Sequence, residues 1–407
     1  MATLGIDFGT SNTGAGWVHD GKPEIIPLEG AAPTLPTAIF LDFAAQRPLY
    51  GRAAAQAMVE GLDGRFMRAL KSVLGTPLAR ETRQLMGERL TLIDVIARFL
   101  AEIKTRAEAA TGQRFDAALS GRPVRFHSAD ASRDAQALKD LTEAYHLAGF
   151  ETVSFLPEPE AAALAVSGQG RLLIVDIGGG TSDFTVCERQ GHDTRVLASH
   201  GLRLGGTDFD KQLSLAHVMP LLGLGGRIAK SFGDGLDTAP QKLFNDLASW
   251  ERIPFVYSDK ASREARLWER LGPDSALFRR LAVTLEMHLG HDIAYAVEAA
   301  KITANDASAA RVDLAVVEAG LGTEIANGAL MAALFGGAQA IAQAAQETVA
   351  QAGLEPRQID QVVLVGGSSL LGVIQQCLRP AFPQATLATQ AVFTAVVEGL
   401  AIASGRL

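Results

Sequence analysis

The apolar and polar positions of this 407-residue chain fall into two periods that exchange along its length. Thr3-Leu-Gly-Ile-Asp-Phe near the N-terminus and Leu172-Leu-Ile-Val near the middle are short apolar runs bounded by polar and glycine residues, which predicts buried strands. Each run enters a glycine turn and returns. Gly9-Thr-Ser-Asn leads into Ala15-Gly-Trp-Val, and Gly178-Gly-Gly-Thr leads into Phe184-Thr-Val. Glu24-Ile-Ile-Pro-Leu and Thr37-Ala-Ile-Phe-Leu predict further strands, punctuated by Pro33 and Pro36.

Residues 51–110 read as helical. Apolar residues recur at helical spacing in Arg65–Leu74 and again in Leu92–Leu100, and on the first of these the pattern puts Lys71 on a solvated face. Ala117–Phe126 reads as a strand broken by Gly121 and Pro123, Ser132–Leu147 as a helix and Val153–Leu156 as a strand. Pro159 suits a first helical turn, so Glu158 stands where a strand ends and a helix begins; such a place suits a site residue or, equally, a helix-capping carboxylate. Residues 211–310 read as largely helical, with Ala261–Arg280 charged. Thr284–Asn305 reads as one helix carrying Glu298, Lys301 and Asn305 on one face, where an exposed ion pair is the plainer alternative. His288 and His291 on it read as ordinary surface residues. Val312–Val317 reads as a strand and Gln361–Val365 as a buried strand running into Gly366 and Gly367. Leu370–Leu378 and Phe393–Ser404 read as helices.

Composition narrows this picture. With 48% hydrophobic and 20% charged residues the chain has ample core for two or more globular domains. A net charge of −8 argues against a general nucleic-acid surface. Cys187 and Cys377, far apart and in apolar contexts, fit a reducing, cytoplasmic setting. No basic segment followed by an apolar one opens the chain, so no secretory signal is expected. Ile325–Gln346 carries no formal charge but holds four Asn or Gln residues among Ala and Gly, and is expected to be a buried core helix rather than a membrane span.

The two hairpins share a design: Asp-x-Gly, then Thr-Ser, then Asn or Asp, about half a chain apart. Successive backbone N–H groups in such a turn suit a phosphate, and nearby carboxylates suit a magnesium ion held through water. The pair suggests two related lobes facing one nucleotide. A P-loop, a Rossmann Gly-x-Gly-x-x-Gly, a Gly-x-Ser-x-Gly elbow and zinc-ligand spacing are all missing from the sequence. What remains is the carboxylate set Asp7, Glu158, Asp176 and Asp183 with several glycine turns, which suits Mg-nucleotide chemistry.

Five motifs in this order resemble the nucleotide-binding domain of the DnaK-type heat-shock chaperones within the actin-like ATPase superfamily. They are Asp7–Thr13, Leu156–Ala163, Asp176–Asp183, Leu204–Asp210 and Leu364–Ser369, and the likeness covers nearly the whole chain. Ser120-Gly-Arg-Pro-Val in place of the family's Val-Pro-Ala-Tyr-Phe is similar to the YegD-like branch. The resemblance implies an α/β, two-lobed actin-like ATPase (ribonuclease H-like) fold, each lobe a mixed sheet with flanking helices. Lobe I is expected over 1–169, with a subdomain at about 35–95. Lobe II is expected over 170–390, with a helical subdomain at about 211–295, and a C-terminal helix over 391–407 packs back on the core.

The resemblance also implies ATP or ADP with Mg²⁺. Gly9, Thr10, Ser11 and Asn12 would hold the β-phosphate side, and Gly178, Gly179, Gly180 and Thr181 the γ side. Asp7 and Asp176 would hold magnesium through water. Lys71, Glu158 and Thr181 would orient the attacking water, with Asp176 or Asp183 accepting its proton. This role for Lys71 displaces the solvated-face reading. Gly205, Gly206, Glu298, Lys301, Asn305, Gly366, Gly367 and Ser369 would line the adenosine.

Two departures stand out. Ile302 and Leu370 occupy positions where the family carries the arginines that sandwich the adenine, so weaker affinity or looser purine choice is expected. Phe393-Thr-Ala-Val-Val replaces the family's Asp-Glu-Ala-Val-Ala. No acidic-apolar linker or peptide-binding domain follows Leu407, so peptide clamping is not expected. The activity implied is slow ATP hydrolysis coupled to lobe closure, with an unidentified protein client or co-chaperone as partner and neither nucleic acid nor membrane. An ATP-responsive module without turnover, an actin-type filament protein and a small-molecule kinase of the same superfold are the alternatives.

Overall fold

The computed structural model describes residues 2–127, 130–191, 193–230, 234–273, 275–389 and 394–406. It divides into two compact units, residues 1–206, 338–370 and 374–407 in the first and 207–337 with 371–373 in the second.

The first unit holds a six-strand and a five-strand sheet that share one five-strand plan, the extra strand Leu35–Pro36 lying off that path. In the first sheet, β1 (Thr3–Phe8), β2 (Asn12–His19) and β3 (Lys22–Ile26) form an antiparallel meander, and β4 (Ala117–Arg122) and β5 (Thr152–Pro157) add in parallel on the far side of β1. In the second, β6 (Gly170–Ile177), β7 (Ser182–Gln190) and β8 (Asp193–Leu202) form the meander, and β9 (Gln361–Val365) and β10 (Thr386–Thr389) add in parallel beyond β6. The orders β3-β2-β1-β4-β5 and β8-β7-β6-β9-β10 coincide term by term. Both sheets are mixed, and their central strands are buried on both faces, which is why Leu172–Val175 and Val362–Val365 read as unbroken apolar runs.

Helices cover the sheets. α1 (Leu92–Thr111) starts at a capping box of Thr91 and Asp94 and lays Phe99 against Phe8 of β1, ring centroids 6.0 Å apart. α2 (Ala131–Leu147) packs beside α1. α3 (Glu158–Ala165) leaves the first sheet at β5 but packs on β6 and β7 of the second, whereas α5 (Ala395–Ser404) leaves the second sheet and packs on β1 and β2 of the first. The two helices cross at Gly399, where an added Cβ would lie 1.8 Å from the Ala161 carbonyl oxygen. Ala161, Ala162, Ile174, Val363, Val396 and Leu400 share one core around that crossing. Each fully buried Leu, Ile or Val there contributes about 1.5–3 kcal/mol.

In the second unit, Phe244, Trp250, Trp268 and Phe278 are buried among the helices Asp259–Leu271, Ser275–Glu286 and α4 (Gly290–Asp306). Trp268 stands edge-on to Phe278 at 5.9 Å.

Several sequence expectations change. Arg65–Leu74 is not a helix: Gly64–Arg68 is a strand paired with Ala38–Asp42, Ala69 takes a left-handed φ of 59°, and a short 3₁₀ turn covers Leu70–Val73. Pairing with a buried neighbouring strand overrode a helical spacing only ten residues long. Thr284–Asn305 is broken between Glu286 and Gly290, where His288 has φ 57°. His291 is buried beside Trp250 rather than exposed. The strand expected at Val312–Val317 is Ala309–Asp313. The apolar helix runs over Asn327–Gln351; it is long and apolar enough by composition to cross a membrane, and Leu330, Leu334, Ile341, Ala345 and Val349 are buried along one stripe of it. Cys187 and Cys377 are both free and buried. Phe393 and Leu407, named as ends of the last segment, lie outside the described residues.

Candidate functional site

Both glycine turns sit at the same end of their sheets, between the first and second strands of each meander, and they meet. An added Cβ at Gly179 would stand 2.4 Å from Ser11 Oγ and 3.1 Å from Thr10 Cβ, and one at Gly180 would stand 3.1 Å from Thr10 Oγ1. The turn before Gly206 closes the group from a third side. Gly206 N–H and the Ser368 hydroxyl both donate to the Gly178 carbonyl, at 3.0 and 3.3 Å. A Cβ at Gly205 would press within 2.7 Å of the Gly179–Gly180 peptide. Gly366, at φ 80°, brings its backbone against Asp176 and Ile177, with 2.7 Å from its would-be Cβ to Asp176 Oδ1. Only residues without side chains allow this density of backbone.

Four carboxylates and one lysine gather under the turns. Lys71 Nζ donates to Glu158 Oε1 at 2.5 Å, with both residues buried. Lys71 is therefore not on a solvated face, and Glu158, first residue of α3, spends its carboxylate on Lys71 while no side chain caps that helix. Burial works against the Lys71 charge, but Glu158, Asp7 and Asp183 together raise its pKa above the ordinary value. Asp176 and Asp183 face each other in register across β6 and β7. Asp183 Oδ1 accepts from Val124 N–H at 2.6 Å. Burial first, then Glu158, pushes Asp7 up to about 7 and Asp183 up to about 8, and burial with the neighbouring carboxylates lifts Asp176 well above the usual range.

This charge imbalance is the test of whether a cation fits. One lysine cannot balance four carboxylates, and the raised pKa values of Asp7, Asp176 and Asp183 are the sign that it does not; a divalent cation would restore the balance. Among the described residues no three His, Cys, Asp or Glu side chains converge closely enough to hold a metal directly. Asp7 and Asp176 would hold it through water, as Mg²⁺ prefers.

The residues expected around an adenosine lie in both units. In the first, Gly205, Gly206, Gly366 and Gly367 belong to the turns above, and buried Ser369 donates its hydroxyl to Gly366 C=O at 2.7 Å, tightening its own turn. In the second, Glu298, Lys301 and Asn305 ride on α4. Lys301 Nζ is 2.6 Å from Asp210 Oδ1, whose other oxygen accepts from Trp250 Nε1 at 3.0 Å. Asn305 Oδ1 accepts from Gly372 N–H at 2.7 Å. The exposed ion pair considered for α4 is replaced by a buried one.

Sequence reasoning missed one wall of the site. A small cavity beside the second turn is lined by Thr10, Lys71, Gly180 and Thr181, and also by Ser72, His127 and Arg203. Arg203 was visible as a charge two residues before a glycine pair; His127 carried no signal at all.

Two matched sheets whose first turns meet over a carboxylate cluster define an actin-like ATPase fold. The Hsp70 protein family model matches residues 81–220, which include Glu158, the second turn and Gly205–Gly206. The chaperone protein DnaK of Endomicrobium trichonymphae is 31% identical over 327 residues, covering 74% of this chain and 49% of DnaK. The chain belongs to the DnaK/Hsp70-type family of actin-like ATPases. It spans about half the length of the curated relative it matches.

Proposed function

We infer that the chain binds ATP with Mg²⁺ between the Asp7–Asn12 and Asp176–Asp183 turns and hydrolyses it slowly, as the ATPase part of a DnaK-like chaperone. The observation that carries this reading is the contact of the Gly179–Gly180 turn with Thr10 and Ser11 above Lys71–Glu158. Backbone N–H groups of Gly9–Asn12 and Gly178–Thr181 would hold the phosphates, a use of main-chain donors that leaves no room for side chains. When bound, magnesium would neutralise the transferred group's charge. Lys71, fixed by Glu158, and the Thr181 hydroxyl would orient the attacking water. Asp183 or Asp176 would take its proton, a role for which a carboxylate lifted toward neutrality is a stronger base. Nucleotide-driven closure would pass the state of this site to a protein client or co-chaperone in the cytoplasm.

Release of phosphate from ATP tests the reading. The parent chain is expected to turn over slowly with Mg²⁺, and Asp7→Ala or Lys71→Ala to slow it about a hundredfold or more; equal rates in all three remove the site assignment. One observation favours a second reading, ATP-responsive binding with negligible turnover. Ile302 and Leu370 are exposed apolar residues, 59% and 42% accessible, where the family places arginines. Nucleotide binding without phosphate release would decide for it.

A further inference from the structure

Lys71 stands on a segment too short to fix it. The 3₁₀ turn Leu70–Val73 is entered through left-handed Ala69 and followed by Gly75 at φ 74°. A turn of that length has few hydrogen bonds of its own, and poorly aligned ones. Glu158 holds the ammonium, but that contact fixes the tip of a flexible stem and not its root. The root is fixed from α2. Gly75 N–H donates to Asp140 Oδ2 at 2.9 Å. The His127 ring donates from Nε2 to the Leu74 carbonyl at 2.7 Å, since a carbonyl can only accept. His127 is itself tied to α2: its N–H and that of Phe126 donate to Asp134 Oδ1 at 3.2 and 2.6 Å. The approach is close. An added Cβ at Gly75 would stand 2.3 Å from the Arg133 carbonyl oxygen and 3.0 Å from Ala137 Cβ.

Asp140 is the centre of this clamp. It is fully buried, and while Oδ2 accepts from Gly75, Oδ1 accepts from Arg80 Nε at 3.0 Å, an Arg80 terminal nitrogen at 2.7 Å and Gln136 Nε2 at 2.7 Å. Arg80 ends the short helix Pro77–Arg80, so one carboxylate gathers the chain on both sides of Thr76. A buried charge is costly unless its lone pairs are met, and apolar side chains of similar volume would serve the packing of α2 as well. Apolar side chains could not accept from the Gly75 amide. We propose, on the ATPase reading of the adjoining turns, that Asp140 is a positioning residue for Lys71. It acts through the Gly75 amide and not on the nucleotide: with the Leu70–Gly75 segment locked on α2, the Lys71 ammonium is delivered to one place beside Glu158.

Single-turnover hydrolysis of ATP with Mg²⁺ by the full chain, with ATP affinity from calorimetry, tests this in Asp140→Asn, Lys71→Ala and the double variant. Asp140→Asn keeps the shape and one acceptor oxygen but turns an amide toward a donor. Its rate is expected to fall about tenfold or more, the effect of a small misplacement of a reacting group, while ATP affinity changes by less than about twofold. In the Lys71→Ala background the same substitution is expected to change the rate by less than about twofold, because nothing is left to position. A carboxylate that only stabilises the fold would give equal losses in both backgrounds. Should Asp140→Asn not fold, Arg80→Met combined with Asp140→Leu replaces the ion pair by apolar side chains and is expected to show the same pattern. An unchanged rate in a folded variant, equal losses with and without Lys71, or a loss of affinity in step with the rate overturns the proposal and leaves the ATPase reading standing. A parent that releases no phosphate overturns both.

Discussion

The turn after Asp7 and the turn after Asp176 occupy the same place in two sheets of one strand plan, but they differ in what stands opposite. Across the second hairpin Asp176 is in register with Asp183; across the first, Asp7 is in register with Gly14. A Cβ at Gly14 would sit 3.4 Å from the Val397 side chain on α5, so the first hairpin gives to packing the position that the second gives to a carboxylate. The helices that close each repeat differ in the same sense. α3 begins with Glu158, bonded to Lys71, whereas α5 begins at Ala395 and buries Ala395, Val396 and Val397. On the proposed reading, a duplicated scaffold places two phosphate turns symmetrically while keeping its acid and base chemistry one-sided. The lysine, its glutamate and the buried Asp183 are additions to the plan, and they can be perturbed apart from it.

The largest expected effect strikes that one-sided chemistry. Lys71→Ala should lower single-turnover hydrolysis about 10²–10³-fold, the range for losing one charge-stabilising donor. A loss under tenfold would make Lys71 a structural cation. Next is the crossing of the two closing helices. Gly399→Ala must displace the Ala161 carbonyl and should cost about 1–3 kcal/mol or more in urea unfolding, whereas Ala161→Gly, which keeps that carbonyl and loses only a buried methyl and helix propensity, should cost about 1 kcal/mol. Equal costs would show that the crossing is not close. Smaller again is the contrast within the turns. Gly205→Ala pushes on the Gly179–Gly180 backbone and should weaken ATP binding about tenfold, or 1.4 kcal/mol, while Gly178→Ala, whose Cβ would meet only the Thr181 oxygen at 3.5 Å, should change it by less than about twofold.

The smallest effect is on pH dependence. Asp7 and Asp183, raised to about 7 and about 8, bind protons in the folded chain that the unfolded chain has lost above about pH 4. The stability these protonated groups allow is complete below that point and is lost as pH rises through 7 and 8. Without nucleotide, Tm should therefore fall from pH 5 to pH 8. Mg²⁺ with ADP should flatten the slope by balancing the carboxylates. A flat profile in both conditions would mean that the cluster is already neutralised.

Much of this was legible in the sequence because strands buried on both faces leave continuous apolar runs and a turn without side chains leaves glycines. The first meander, the β6–β7 hairpin, the β9 strand and the junction at Glu158 were readable for that reason, whereas β8 was not among the expected strands. The segment before Lys71 was not: its spacing is helical, and only pairing with another strand, Met67 against Ile39 28 residues away, makes Gly64–Arg68 a strand. The break at His288 depends on one left-handed residue that no periodicity announces. Arg203 and His127 meet from segments 76 residues apart, so their relation exists only in the fold.

The central claim is that the two turns grip one triphosphate. A double-mutant cycle on ATP binding tests it most directly, with Thr10→Val in the first turn and Thr181→Val in the second, titrated by calorimetry with Mg²⁺. One ATP per chain and a coupling of at least about 0.5 kcal/mol between the substitutions are expected for groups sharing a ligand. Strict additivity, or two independent ATP sites per chain, would contradict the account.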